Sequence, residues 1–194
     1  MKVLNLYAGL GGNRKLWTGV QVTAVERNEE VAAIYKEYFP EDEIIIGDAH
    51  QYLLENYAKF DFIWTSPPCP THSRARYWTS KGGRYPVKYP EMDLYQEIIL
   101  LKHFFKGNWV AENVIPYYDS LIKPDYVLDR HSIWTNLTIP DIKVDDRNSP
   151  WTVTSNTEKY GFSVKDRKIK HRKDQLIRNL VHPEIGLHIL NCAA

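Results

Sequence analysis

The sequence predicts a doubly wound, mainly parallel α/β sheet, on three observations. Short apolar, β-compatible runs alternate with helical patterns every 10–20 residues, the spacing of strand–helix–strand units. A glycine-rich turn, Ala8-Gly9-Leu10-Gly11-Gly12, follows directly on the first run. Residues able to do chemistry close the successive runs, and an open α/β sheet binds its ligands at those carboxyl ends.

Taken in order, Val3 to Tyr7 reads as the first strand, and Val22 to Val25 as a second that ends at Glu26. Glu29 to Phe39 has helical spacing in Val31, Ile34, Tyr35 and Tyr38, with Pro40 just beyond its end. Ile44-Ile45-Ile46 is a third strand ending at Gly47-Asp48, and Gln51 to Tyr57 a short helix. Phe60 to Thr65 is a fourth strand, stopped by Pro67-Pro68. Asp93 to Phe105 is a helix with Leu94, Ile98, Leu101 and Phe105 on one face, and Trp109-Val110-Ala111 a fifth strand. Beyond Trp134 the pattern weakens, and Thr138 to Lys170 is polar and mixed. Gln175 to Leu190 reads as a closing helical segment interrupted by Pro183.

A chain of 194 residues with 43% hydrophobic and 25% charged residues fits one soluble domain, or one with a small appendage. That length buries about two-thirds of the unfolded surface, so no disulfide or metal staple is needed. Two cysteines, Cys69 and Cys192, cannot make a disulfide framework or a cysteine-rich zinc site. No apolar run approaches the roughly 18 residues of a membrane span, and the start of the chain does not read as a signal peptide. A soluble, cytoplasmic, reduced protein without a metal is expected.

Lys and Arg total 25 against 24 Asp and Glu, so any nucleic-acid signal must be local. From Pro70 to Pro90 there is no acid, while Arg74, Arg76, Lys81, Arg84 and Lys88 interleave with Tyr77, Trp78, Tyr85 and Tyr89. Bases and aromatics on a Gly-Gly loop without apolar periodicity suit phosphate contact plus base stacking, and a mobile loop is expected there. A second basic run spans Lys165, Arg167, Lys168, Lys170, Arg172 and Lys173. Taken alone, it could equally be a solvated face.

The glycine turn lets backbone approach a ligand closely, and it lacks the lysine of a triphosphate loop. Glu26, closing strand two, is placed to accept from ribose hydroxyls. Asp48, closing strand three, could accept from an adenine amino group. Each could also be only a helix cap, and the glycines only a turn. Cys69 follows two prolines and begins the basic stretch; near Arg74 and Arg76 its thiolate, the nucleophilic form, would be favoured. The plainer reading is a buried small hydrophobe. Glu112, closing the fifth strand in Glu112-Asn113-Val114, could hold or deliver a proton, or be satisfied by nearby amides.

Together these residues resemble the DNA cytosine-5 methyltransferase family. Its first motif looks like Tyr7-Ala8-Gly9-Leu10-Gly11-Gly12, its next acids like Glu26 and Asp48, its nucleophile motif like Pro68-Cys69-Pro70 with Ser73, and its Glu-Asn-Val motif is intact at Glu112. Arg130, ahead of His131-Ser132-Ile133-Trp134, stands for a motif whose Gln and first Arg are here Tyr126 and Leu128. The family's closing Gly-Asn motif resembles Arg178-Asn179-Leu180-Val181. Pro70 replaces the family's Gln, and the variable region between Trp134 and Asn179 is only about 45 residues. The abbreviated layout looks most like compact, phage-borne members, as found in restriction–modification contexts.

The resemblance implies a Rossmann-like S-adenosylmethionine-dependent methyltransferase fold with a small variable insertion. It divides the chain into a catalytic, cofactor-binding domain (1–137), a target-recognition region (138–170) and a returning C-terminal segment (171–194). It implies S-adenosylmethionine held by Tyr7 to Gly12, Glu26, Arg27, Asp48, Ala49, Pro67, Leu94, Asn179 and Val181. Double-stranded DNA would be held by Ser73, Arg74, Arg76, Lys168, Lys170 and Arg172. The implied chemistry is transfer of a methyl group to carbon 5 of a flipped-out cytosine, with Cys69 as nucleophile and Glu112 and Arg130 stabilising the adduct. Three alternatives stay open. They are an amino-group methyltransferase, whose Ser-Pro-Pro start Ser66-Pro67-Pro68 shares; an RNA cytosine methyltransferase; and a catalytically silent nucleic-acid-binding module.

Overall fold

The computed structural model describes residues 1–144 and 158–194. Five strands run parallel: β1 (Lys2–Leu6), β2 (Gln21–Glu26), β3 (Glu43–Ile46), β4 (Phe62–Thr65) and β5 (Asn108–Val114). Two more, β6 (Tyr126–Leu128) and β7 (His131–Thr135), are antiparallel, and β7 adds to β5. The order is β3-β2-β1-β4-β5-β7-β6. The chain winds outward from β1 in both directions, so the switch point lies between β1 and β4, where such a sheet opens a crevice at its carboxyl edge. The antiparallel pair lies in a stretch where the sequence carries no clear strand–helix alternation. A separate two-stranded ribbon, β8 (Glu158–Lys159) with β9 (Phe162–Ser163), lies in the expected variable region, of which residues 145–157 fall outside the described residues.

The strands are near-continuous apolar runs because both faces are covered. Leu4, Leu6, Ile63 and Trp109 pack with Leu94, Ile98 and Leu101 of helix α4 (Asp93–Phe104) on one side. Val3, Phe62, Trp64 and Val110 pack with Ile185, Ile189 and Leu190 of the last helix on the other. Helix α1 (Glu29–Tyr38) starts because Asn28 caps the amides of Glu30 and Val31, and α2 (Ala49–Asn56) because Asp48 caps Gln51.

Two sequence expectations are corrected. The basic–aromatic stretch is not loop throughout: Arg74–Lys81 forms helix α3. Tyr77 of that helix stacks on Tyr117, ring centroids 4.1 Å apart at 8°, a tertiary contact that periodicity cannot report. The closing segment is two helices, α5 (Lys173–Arg178) and α6 (Pro183–Ala193). Pro183 opens α6 rather than interrupting a helix, because the first helical position has no amide to satisfy within the helix. Gly186 brings α6 onto Asn13: a Cβ at Gly186 would lie 2.1 Å from the Asn13 carbonyl oxygen. The indole of Trp17 donates to the Gly186 carbonyl at 3.0 Å.

Candidate active site

At the carboxyl edge of the sheet the strand ends enclose a cleft of about 710 Å³, within the roughly 300–1,000 Å³ of small-ligand sites. The glycine turn forms its floor. Tyr7 and Gly9 both have φ 55, and Gly11 has φ 82, the left-handed backbone that glycine permits. Glu26 fixes the turn: Oε2 accepts from the Gly9 amide at 3.0 Å and Oε1 from the Asn28 amide at 2.8 Å. Glu26 is therefore not the cap of α1, a role that Asn28 takes. Asp48 is a cap and also lines the cleft.

Across the cleft stands the Pro67-Pro68-Cys69 segment that ends β4. It is clipped to the end of β5 by Asn113, whose side-chain amide donates to the Pro67 carbonyl at 3.0 Å. Further bonds run from the Tyr117 amide to the His72 carbonyl at 3.2 Å and from Arg74 Nε to the Pro116 carbonyl at 3.1 Å. The Cys69 carbonyl accepts from the amides of both His72 and Ser73. These bonds fix the thiol beside Glu112.

Glu112 is buried, and its Oε1 lies 3.3 Å from Nε2 of the equally buried His131. Burial pushes His131 below its ordinary range, so a neutral ring stands beside the carboxyl group. Arg130 donates to the carbonyls of Arg178 at 2.6 Å and Leu180 at 3.2 Å. It thereby ties the connection between α5 and α6 to the front of the site.

The expectation of a favoured Cys69 thiolate is reversed in this state. Burial, and then the charge of Glu112, push the thiol up to about 11. Arg130 pulls the other way more weakly. Arg74 and Arg76 do not act on it: Arg74 holds Pro116, and Arg76 donates to the Pro86 carbonyl and covers the Tyr85 ring.

Of the residues named from the sequence, the cleft brings together Tyr7, Ala8, Gly9, Leu10, Gly12, Glu26, Arg27, Asp48, Ala49, Pro67, Cys69, Ser73, Glu112, Arg130, Asn179 and Val181. Gly11 and Leu94 lie outside it. A Cβ on Gly11 would strike the Phe39 ring at 2.4 Å, so this glycine serves packing. Leu94 is 2% exposed in the core, and its neighbour Asp93 faces the cleft instead. Arg74, Arg76, Lys168, Lys170 and Arg172 also lie outside the cleft wall. Arg172 is paired with Asp174 at 2.6 Å.

Sequence reasoning missed His131, Glu91 and a buried group behind the glycine turn. Burial and the neighbouring Asp93 raise Glu91 above the usual carboxylate range. Behind the turn, Glu97 accepts from the Tyr7 hydroxyl at 2.7 Å and the Thr65 hydroxyl at 2.6 Å, and meets His50 Nδ1 at 2.9 Å. The signal for Glu97 was available: an acid on the apolar face of α4, flanked by Leu94, Ile98 and Leu101. Among the described residues, no group of His, Cys, Asp and Glu could hold a metal ion, and no helix is long and apolar enough to cross a membrane.

The family model of the C-5 cytosine-specific DNA methylases matches residues 1–115. Solved structures similar to this chain include the Entamoeba histolytica methyltransferase EhMeth, at 16% identity over 59% of this chain and 38% of that one, TM-score 0.38. Another is a Spodoptera frugiperda DNMT2 variant, at 24% over 58% and 35%, TM-score 0.41. A third is the SAM-dependent methyltransferase from Agrobacterium tumefaciens, at 17% over 61% and 40%, TM-score 0.43. The chain thus spans 40% or less of the length of each of these. A comparison with curated proteins returns no match. The fold is that of a Rossmann-like methyltransferase, and with its first 115 residues fitting the family model, the chain belongs to the C-5 cytosine-specific DNA methylases.

Proposed function

We propose that the protein methylates carbon 5 of cytosine in double-stranded DNA, using S-adenosylmethionine and a covalent Cys69 adduct. One observation carries this reading: Cys69, Glu112 and Arg130 share a single cleft with the Tyr7–Gly12 turn, Glu26 and Asp48. The cofactor half fits a nucleoside. Glu26 already has each oxygen oriented by a backbone amide, leaving lone pairs for a ribose diol, and Asp48 stands at the next strand end for the adenine amino group. S-adenosylmethionine, when bound, supplies the electrophilic methyl group.

The rest falls to this chain's own residues. A base flipped out of the stack would enter between Cys69 and Glu112. The Cys69 sulfur, once deprotonated, bonds to ring carbon 6, and the electron pair of the carbon 5–carbon 6 double bond becomes available at carbon 5. Glu112 holds ring nitrogen 3 and shares a proton with it, so the developing negative charge is neutralised. After methylation, loss of the proton on carbon 5 restores the double bond and expels the Cys69 thiolate. Thiolate formation and base binding are coupled. The charge of Glu112 is one of the two causes that raise Cys69, and engagement of that carboxyl with the base removes it while Arg130 remains. In this reading residues 1–137 are the catalytic unit, 138–170 the target-recognition region, and 171–194 the segment that returns Asn179 and Val181 to the cleft.

The test is nucleoside mass spectrometry on DNA and RNA from cells expressing the protein. 5-Methylcytosine should appear in DNA and vanish in Cys69→Ser. N4-methylcytosine, N6-methyladenine, or methylcytosine confined to RNA would overturn the reading.

A further inference from the structure

Glu97 is completely buried, 0% exposed, and lies in the second turn of α4. Its two oxygens take three side-chain partners from three other segments: Tyr7, His50 and Thr65. Tyr7 is the first residue beyond β1 and opens the glycine turn. His50 lies in the first turn of α2, two residues after Asp48. Thr65 is the last residue of β4, two residues before Pro67. The three segments that carry the glycine turn, Asp48 and the Pro-Pro-Cys loop therefore converge on one carboxyl group.

An acid at this position is costly unless its hydrogen bonds are made. An apolar residue would have extended the Leu94, Ile98 and Leu101 surface at no such cost. The network is favourable because neither oxygen is left without a partner: Oε1 meets Tyr7 and His50 and Oε2 meets Thr65, at 2.6–2.9 Å, and satisfied buried networks rigidify what they join. Tyr7 has most to gain. Its backbone is left-handed at φ 55, a conformation that a non-glycine residue holds only when its surroundings impose it. The hydroxyl bond to Glu97 is such an anchor.

We propose that Glu97 is a positioning residue of the cofactor site. It holds Tyr7, His50 and Thr65 in register, so that the glycine turn, Asp48 and Pro67 offer S-adenosylmethionine one preformed surface. This rests on the cofactor reading given above. Glu97 lines no part of the cleft itself, so it acts on the ligand only through these partners.

The test is calorimetric titration of S-adenosylmethionine and S-adenosylhomocysteine at a temperature where every variant is folded by circular dichroism, paired with steady-state kinetics. Glu97→Ala should weaken cofactor binding about tenfold or more. It should raise the cofactor KM in proportion, leaving kcat at saturating cofactor and the KM for DNA within about twofold. Glu97→Gln, which keeps an acceptor for Tyr7, should recover most of the affinity. Thr65→Val should weaken binding less than Glu97→Ala, and should add nothing in the Glu97→Ala background. If Glu97→Ala does not fold, Thr65→Val and Glu97→Gln carry the comparison alone. Folded variants with wild-type cofactor affinity, or a fall in kcat alone, would overturn the inference. A wild-type protein that binds neither cofactor form would overturn the functional reading itself, and the inference with it.

Discussion

Cys69 is set between opposing influences, and their balance can be measured. Burial and Glu112 raise the thiol to about 11, and Arg130 lowers it. Alkylation of Cys69 by iodoacetamide, followed on its own peptide to separate it from Cys192, should rise roughly tenfold per pH unit between neutrality and pH 10, because only the thiolate reacts. Glu112→Gln removes a charge that disfavours the thiolate, so the whole curve should move to lower pH. Arg130→Ala removes one that favours it, so the curve should move to higher pH. A curve unmoved by either change would break the coupling on which the mechanism depends. At the other end of the cleft, Glu26→Ala and Asp48→Ala should each weaken cofactor binding by about 1–3 kcal/mol, as when a buried polar group is left without its hydrogen bond. Calorimetry would detect it, and wild-type affinity in both would mean that the cofactor lies elsewhere.

Among the elements, the packing of the glycine turn on the α5–α6 connection depends on the absence of a side chain. A Cβ on Gly12 would lie 2.6 Å from the Val181 carbonyl oxygen, and one on Gly186 would strike Asn13. Gly12→Ala should destabilise by about 1–3 kcal/mol, as overpacking does, lowering Tm by about 2–12 °C in a thermal melt. The second basic run is partly committed within the protein: Arg167 pairs with Glu37 at 2.7 Å and Arg172 with Asp174 at 2.6 Å. Of its exposed members outside those pairs, Lys165, Lys168 and Lys170, the last two are the ones expected to hold DNA. Replacing both with Ala should flatten the log–log salt dependence of DNA binding by about two units, near 0.9 for each phosphate that is no longer neutralised. An unchanged slope would remove this face from the DNA interface. The five parallel strands and their helices were legible because each carries an apolar run of the right length between clear stop signals. Helix α3 was not, since the contacts that seat it are tertiary, such as Tyr77 stacked on Tyr117, a partner 40 residues away in sequence.

Across the whole molecule, the part matched by the family model ends at residue 115, yet the sheet and the cleft need the rest. β7 extends the sheet, and Arg130, Asn179 and Val181 return to the site from beyond that boundary. Tyr7, Gly9, Glu26, Asp48, Cys69 and Glu112 of the cleft were readable from the sequence because they lie at strand ends, and topology alone gathers strand ends on one edge. Glu91 and His131 were not, because neither ends a strand in a recognisable motif and only the folded chain brings them to the cleft; Glu97 left a trace, an acid on the apolar face of α4, but its partners Tyr7, His50 and Thr65 are supplied by the fold. The short variable region leaves few side chains to reach base edges, so a recognition site of about two to four base pairs is expected; bisulfite mapping that returned a strict six-base site would contradict this. The central claim, a covalent bond from Cys69 to cytosine, is tested most directly with duplex DNA containing 5-fluorocytosine and S-adenosylmethionine. Fluorine on carbon 5 blocks the proton loss that breaks the sulfur–carbon bond. Mass spectrometry should therefore find a denaturation-stable one-to-one complex, joined through the Cys69 peptide and absent from Cys69→Ser. Methylation of ordinary DNA by Cys69→Ser, or by a wild-type protein that forms no such complex, would contradict it.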